Sequence, residues 1–445
     1  MRLWLKDPLA IFGEGCEGGL VVSNGLIAER VAKGAQPAAP VDEIMDASRH
    51  VILPGLINTH HHFYQTMTRA HPAAINKSLF GWLKALYPIW TKLTPEALSL
   101  ATETAMIELL LSGVTTTSDH HYVFPQGLEQ GIDLQVEVAR RLGMRVTLTR
   151  GSMSLSVEDG GLPPRAVVQR HDTILADSER LMQRYHDASH GAFVQMALAP
   201  CSPFSVTPEL MRDSAALAAT HGCRLHTHLA ETDDETDYCL HHFGRRPLDH
   251  LADVGWLGPQ TWLAHGIHFD DGEIAALGAH GVGICHCPTS NMTLASGQCR
   301  TLELEAAGCP VGLGVDGSAS NDASNGMEAV RHALLLGRLR YGADRVTHRD
   351  ALRWGTQGSA ACLGRGDIGT IVEGACADLA MFRLDQDLRF AGAHDPLAAL
   401  VLCGAVRADR VMVGGQWRVL DGLPVGVDMA ALHAKHSVMA RRLFG

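Results

Sequence analysis

Between residues 55 and 365 short apolar runs alternate with longer stretches of helical periodicity. The strand-like runs are VILPGLINTH, GVTTTSD, RVTLTRG, FVQMALAP, CRLHTHLAE, TWLAHGIHF, GVGICHCP and PVGLGVDG. Helix-like stretches cover residues 95 to 112, 130 to 142, 208 to 221, 271 to 280 and 326 to 339. Short runs bounded by Gly and Pro read as buried strands, and their alternation with helices calls for parallel βα units. Eight such runs predict an α/β chain built on a (β/α)8 TIM-type barrel. An open, doubly wound sheet is the alternative.

The two ends of the chain carry another pattern. LWLKDPLAIF, GGLVVSN and GLIAERV near the start, and DRVMVGGQWRVLDG near the finish, are short strand-like runs separated by turns. They predict a small β-sandwich domain assembled from both ends, residues 1–54 and 366–425, beside the barrel at 55–365. A closing helix is expected within 426–445. A chain of 445 residues, 46% of them apolar, has ample material for such a core. Its net charge of −11 and lack of basic clusters argue against nucleic acid. No apolar run reaches the ~20 residues that span a bilayer. The opening MRLWLKDPLAIF lacks the pattern of a signal peptide. Eleven scattered cysteines without a CxxC pair fit reduced thiols, so a cytoplasmic setting is expected.

The polar residues of the barrel segment fall at strand ends, which is the catalytic face of such barrels. His60 and His62 end the first run, His228 the fifth, His265 the sixth and Asp316 the eighth; Glu231 follows His228 by three residues. Side chains alternate faces along a strand. His60 and His62 therefore share the inward face and His61 points to the helix layer. His226 shares the inward face of His228 one layer deeper, and reads as a hydrogen-bonded core histidine rather than a ligand. Three neutral imidazoles (His60, His62, His228) and the Asp316 carboxylate suit one divalent ion, zinc with iron(II) as the alternative. Such an ion lowers the pKa of bound water to about 7. The remaining mouth residues, Glu231 and His265, can then act as proton carrier and electrophilic hydrogen-bonder.

Recognition of a flat substrate needs an aromatic wall and directional polar groups. Gln65, on the loop after His62, offers donor and acceptor together. Trp82, read on the next loop, would cover a ring. Arg150 is the nearest cation for a substrate oxygen. Cys201 is either a contact or a small apolar filler. Tyr87 and Trp90 are assigned to packing, Asn291 to fixing its loop, and Ser318 to orienting Asp316. Asp322 is a weaker competitor of Asp316. His120 and His121 stay open between mouth-facing and structural.

PGLINTHHH, LHTHLAET, LAHGIHF, HCPTSNMTLASG and GLGVDGSASND, in this order, resemble the blocks of the amidohydrolase superfamily in its mononuclear deaminase branch. The longer blocks THHHFYQT, FGWLKALYP, SDHHYVFP, TRGSMSLS and APCSPFSVTPE are similar to those of its purine deaminases. The resemblance spans nearly the whole chain. It implies one metal per chain, held by His60, His62, His228 and Asp316. It also implies proton handling by Glu231, His265 and Asp316, and a homo-oligomer. The reaction implied is hydrolytic deamination of an aminopurine, foremost 8-oxoguanine to urate and ammonia, with isoxanthopterin, guanine or an aminotriazine as alternatives. Two-metal relatives bridge their ions with a carboxylated lysine on a middle strand. Here no lysine lies between Lys92 and Lys435, so a single-metal site is expected unless Glu or Cys replaces it. Two other classes compete: a non-catalytic scaffold, which bound metal and ammonia release would exclude, and a cyclic amidohydrolase, which a metal count near two would favour.

Overall fold

The computed structural model describes residues 1 to 444; Gly445, the last residue of the expected closing segment, lies outside the described residues. Its centre is a ring of eight parallel strands. These are β1 (Leu56–Asn58), β2 (Val114–His121), β3 (Arg145–Ser152), β4 (Val194–Pro200), β5 (Arg224–Leu229), β6 (Thr261–His265), β7 (Gly283–His286) and β8 (Val311–Leu313). Each pairs with its neighbour in sequence order. The ring closes just beyond the ends of β8 and β1: Thr59 N donates to Leu313 O at 3.0 Å and Asp316 N to His60 O at 3.1 Å. The predicted barrel is present. β2 and β3 are buried along their whole lengths, as parallel strands covered on both faces must be.

The helices Pro95–Leu111, Gly131–Leu142, Pro208–His221, Asp271–Ala279 and Gly326–Tyr341 stand where the periodicity predicts them. Their starts carry local signals. Thr94 and Thr207 accept backbone N–H groups ahead of a first-turn proline, and Asp270 with Glu273 forms a capping box. One difference matters for the site. Trp82 is expected on a loop but lies in the helix Leu79–Trp90. Gly81 and Pro88 weaken the helical signal there. Burial of Leu83, Leu86, Tyr87 and Trp90 overrides it.

The chain ends build two further sheets. One orders Leu26–Val31, Gly19–Ser23, Arg2–Lys6 and Glu43–Asp46; the other runs from Leu423–Pro424 through Arg410–Val413 and Leu379–Arg383 to His50–Pro54 and Ala10–Ile11. Leu379–Arg383 pairs antiparallel with His50–Pro54, so residues from both ends share a sheet. Leu5, Leu20 and Ile27 meet Ile52, Met381 and Met412 in one buried cluster between the sheets. The strand His50–Pro54 feeds directly into β1 through Gly55. A Cβ at Gly55 would lie 2.1 Å from Thr115 Oγ1, where the β1–β2 register shifts, so the turn into the barrel requires glycine. The closing helix Met429–Phe444 packs on Pro95–Leu111 and on the short helix Phe63–Thr68, with His436 Nε2 3.1 Å from Thr66 Oγ1. Among the described residues no helix is long and apolar enough to cross a membrane.

Arg145, at the start of β3, ties the barrel to the second sheet. Its Nε donates to Asp378 Oδ2 at 2.9 Å and its Nη2 to Asp378 Oδ1 at 3.1 Å, and both side chains are 1% exposed. Gly414 N also donates to Asp378, at 2.7 Å. Removing the carboxylate strands a buried guanidinium. Asp378→Ala is expected to cost about 3–5 kcal/mol of stability. Denaturant unfolding measures this, and an unchanged midpoint would show that the pair carries no weight.

Candidate metal centre and active site

His60 and His62 lie two and four residues past the end of β1, yet the chain there is still tied to both neighbours: His60 O accepts from Asp316 N, and His61 O accepts from His120 N at 2.7 Å. The extended backbone keeps the parity predicted for the histidine run. His60 and His62 face inward. His61 faces out, with its Nε2 3.0 Å from Ser324 Oγ and its Nδ1 accepting from His62 N at 2.7 Å. His228 comes from β5 and Asp316 from just beyond β8. At the barrel mouth His62 Nε2 is 3.2 Å from His228 Nε2, and Asp316 Oδ1 is 3.3 Å from both His60 Nε2 and His62 Nε2.

The surrounding hydrogen bonds determine which ring nitrogens carry protons. A carbonyl oxygen can only accept. His62 Nδ1 lies 2.7 Å from His120 O and His228 Nδ1 lies 2.6 Å from Cys201 O, so both δ nitrogens donate. His226 Nδ1 donates to Trp262 O at 2.8 Å, which leaves His226 Nε2 to accept from His60 Nδ1 at 2.8 Å. The ε nitrogens of all three rings are therefore lone pairs. They face one another and a carboxylate, and His60 Nε2 has no hydrogen-bond partner among the described residues. Converging acceptors repel unless a cation lies among them. Three imidazoles and one carboxylate fit a zinc-like divalent ion by number, type and protonation state. Burial pushes the His60 and His228 imidazoles well below their ordinary range, which keeps them neutral. Burial alone would raise the Asp316 carboxyl, but the adjoining His60 and His62 imidazoles, with His265, hold it well below the usual carboxylate range.

Two further groups stand beside this cluster. His265 Nε2 is 3.5 Å from Glu231 Oε2 and 4.0 Å from Asp316 Oδ2. Burial drives the Glu231 carboxyl far above its usual range, with the charges of Asp316 and Glu235 adding to it. Burial of that kind favours the protonated carboxyl. His265 and Asp316 have left-handed backbones, φ +73° and +66°, as does Ala230 just before Glu231, φ +53°. Each turns the chain sharply off a strand end and presents a side chain to the mouth. Such conformations persist only where neighbours hold them. Glu235 accepts from Ala230 N and Glu231 N at 3.0 Å each. Asn321 Nδ2 donates to Val315 O at 2.7 Å and Asp316 O at 2.6 Å.

A cavity opens above the cluster. Gln65, Trp82 and Cys201 line it, together with Tyr87, Tyr122 and Phe204. Trp82 Nε1 donates to Ala319 O at 3.1 Å. Gln65 presses on Gly317 so closely that a Cβ there would sit 1.9 Å from Gln65 Oε1. Burial pushes the Cys201 thiol up to about 12, so it stays protonated.

Several expectations need correction. Arg150 does not reach the cavity. Its guanidinium bonds Asp177 Oδ2 at 2.7 Å, Gln169 Oε1 at 2.8 Å and Gly151 O, and lies over the Phe124 ring. Arg150 is therefore committed to the helix side of β3, level with the outward-facing His121, and is not a cation for a substrate oxygen. Ser318 bonds Ser324 Oγ at 2.6 Å, not Asp316; Ser320 Oγ is the hydroxyl near Asp316 Oδ2, at 3.5 Å. Asn291 Nδ2 lies 3.1 Å from His265 Nδ1, so its partner is a site residue and not only its loop. Asp322 accepts from Ala70 N, far from the cluster. His120 stacks on His228, centroids 4.7 Å apart, and donates to Ala199 O at 2.9 Å, while His121 meets Phe124 on the outer side. Tyr122 and Glu235 escaped the sequence reading. Tyr122 stands two residues past His120, on the same face, and Glu235 one helical turn past Glu231; those spacings were the available signal.

A model of the amidohydrolase family matches residues 51–418. The chain is 64% identical to the 8-oxoguanine deaminase of Pseudomonas aeruginosa over 99% of both chains. It is 35% identical to an isoxanthopterin deaminase from an unknown prokaryotic organism, over 93% of this chain and 89% of that one. Among solved structures, an atrazine chlorohydrolase from Arthrobacter aurescens TC1 complexed with zinc superposes with a TM-score of 0.93 at 30% identity, covering 98% of this chain and 100% of that one.

Two outcomes follow from the proton positions. His226→Leu removes the acceptor that turns the His60 lone pair inward, and is expected to weaken metal affinity about 10- to 100-fold; competition against a chelator measures it, and equal affinity would refute the link. Burial also lowers His226 from 6.5 to about 3 and His265 from 6.5 to about 4. At these two imidazoles the folded state thus binds fewer protons than the unfolded state. Their contribution to stability is fully present above pH 6.5 and is lost as pH falls from there through about 4 and 3. Melting temperature measured against pH should decline across that window, and a flat profile would exclude the effect.

Proposed function

This chain belongs to the amidohydrolase family, and on that ground we propose that it hydrolyses the exocyclic amine of an aminopurine, converting 8-oxoguanine and water to urate and ammonia. The observation that carries this reading is the set of four converging acceptors beside the buried Glu231 carboxyl and His265. Identity of 64% to a deaminase of that name supports the substrate.

His60, His62, His228 and Asp316 hold one divalent ion, zinc, with iron(II) as the alternative. Bound there, such an ion acidifies water to a pKa of about 7 and so supplies the nucleophile at neutral pH. The remaining steps belong to side chains. Glu231 keeps its proton in the buried site and delivers it to the ring nitrogen adjacent to the amine-bearing carbon. That transfer relieves the negative charge that builds on the ring as oxygen adds. His265, between Glu231 and Asp316 Oδ2, orients the attacking oxygen. Asp316 takes the second proton on Oδ2, the oxygen turned away from the imidazoles, and passes it to the departing ammonia. Glu235 and Asn321 hold the strained backbones from which these groups project. Gln65 reads the substrate edge, Trp82 covers the ring and Cys201 fills the wall beside His228.

Glu231→Gln keeps the size and loses the proton relay. It is expected to lower kcat by about 100-fold or more with metal content unchanged, and near-normal turnover at full metal content would reject the role. Steady-state ammonia release from 8-oxoguanine, guanine and isoxanthopterin side by side tests the substrate. 8-Oxoguanine is expected to have the highest kcat/KM. An equal or higher value with either competitor would overturn the substrate and leave the deaminase reading standing.

A further inference from the structure

Tyr64 and Tyr87 have hydroxyls that are buried and find no hydrogen-bond partner among the described residues. A buried donor left unpaired is expensive, and its presence asks what completes it. The two differ in position. Tyr64 does not line the cavity, whereas Tyr87 does. Tyr87 sits on the helix Leu79–Trp90, one turn beyond Leu83 and on the same wall as Trp82. Its ring packs edge-on against Trp90, centroids 5.8 Å apart, and is 1% exposed. Among the described residues no ring contact joins it to a histidine of the cluster. Tyr122, by contrast, lies 5.2 Å from His62 and 5.3 Å from His120. Tyr122 therefore borders the metal end of the cavity and Tyr87 belongs to its outer half. Burial raises the Tyr87 phenol well above its ordinary range, so it is a proton donor at any working pH.

In a purine the C2 and C8 atoms lie at opposite ends of the fused rings. With the amine-bearing C2 held at the imidazole cluster, C8 points into the outer half of the cavity. We propose that the Tyr87 hydroxyl is a specificity-determining donor that bonds the substrate oxygen on C8. This assignment rests on the deaminase reading above and deepens it. It gives the unpaired hydroxyl its partner and explains how the pocket tells 8-oxoguanine from guanine. Guanine has only a C–H at C8 and would leave the donor unpaired in the complex, at the cost of binding.

The test is Tyr87→Phe in the zinc-loaded full chain. Ammonia release is measured with 8-oxoguanine, and with guanine as substrate or competitive inhibitor. Thermal melting is measured alongside. KM for 8-oxoguanine is expected to rise about 10-fold or more, with kcat within about threefold, while the guanine constant stays put. The melting temperature is expected not to fall, because the hydroxyl has no protein partner to lose. Equal losses with both purines, no change with either, or a lowered melting temperature with parallel losses would overturn the proposal. Normal wild-type turnover with unmoved Tyr87→Phe constants would sink this assignment alone. A wild-type protein that releases no ammonia from either purine would remove the deaminase reading and this assignment with it.

Discussion

The carbonyl oxygens of His120, Cys201 and Trp262 each accept a ring proton, and through them the barrel dictates the chemistry of its own mouth. Two act directly on His62 and His228. The third acts through His226, whose ε nitrogen then accepts from His60. Every imidazole of the cluster is thereby left with an inward lone pair. Carbonyls at strand ends cannot rotate or ionise, so the tautomers follow from the fold itself. A site of acceptors alone, buried away from water, is electrostatically incomplete without a cation. That demand makes it a site for a cation.

The same region is where the barrel closes. Asp316 N donates to His60 O, so the backbone bond that joins the last strand to the first also joins two members of the cluster. Asp316 can reach the imidazoles only because its backbone is left-handed, and Asn321 holds that conformation through two carbonyls. Gly317 must lack a side chain because Gln65 occupies the space. Closure of the barrel, placement of the carboxylate and placement of the amide are thus one packing problem. A change to any of them is felt by the others.

The cavity divides by chemistry. Its inner half holds fixed lone pairs and two carboxyls kept in opposite protonation states, Asp316 ionised and Glu231 neutral. Separation of that kind suits one group to bind positive charge and another to donate a proton. Its outer half is built by the helix Leu79–Trp90 with Phe204, an aromatic wall for a flat ring. The inner half follows from strand ends, which tolerate little change. The outer half follows from helix and loop side chains, which the scaffold leaves free to vary among relatives that act on different rings.

How much of this was legible in the chain alone depended on the range of the forces involved. Strand alternation is a local property, so the period-two split of His60, His61 and His62 and the strand-end positions of His228 and His265 could be read without coordinates. The eightfold alternation of apolar runs likewise specified the barrel, because only helices on every strand could bury them. Its place at a strand end did not bring Arg150 into the mouth: it lies level with the outward-facing His121, and Asp177 takes its guanidinium on the helix side. Ser320 was missed because the chain turns after Asp316 and the face it presents there is no longer set by the strand. The helical wall carrying Trp82 and Tyr87 was hidden by Gly81 and Pro88, whose local preference is outweighed by burial. By itself, then, the sequence determined the ring of strands and the residue types at its mouth, both of which rest on short-range periodicity. Only the tertiary structure decided which nitrogen of each imidazole bears its proton, which carboxyl keeps one, and which hydroxyl is left without a partner, because those depend on groups brought together from opposite ends of the chain.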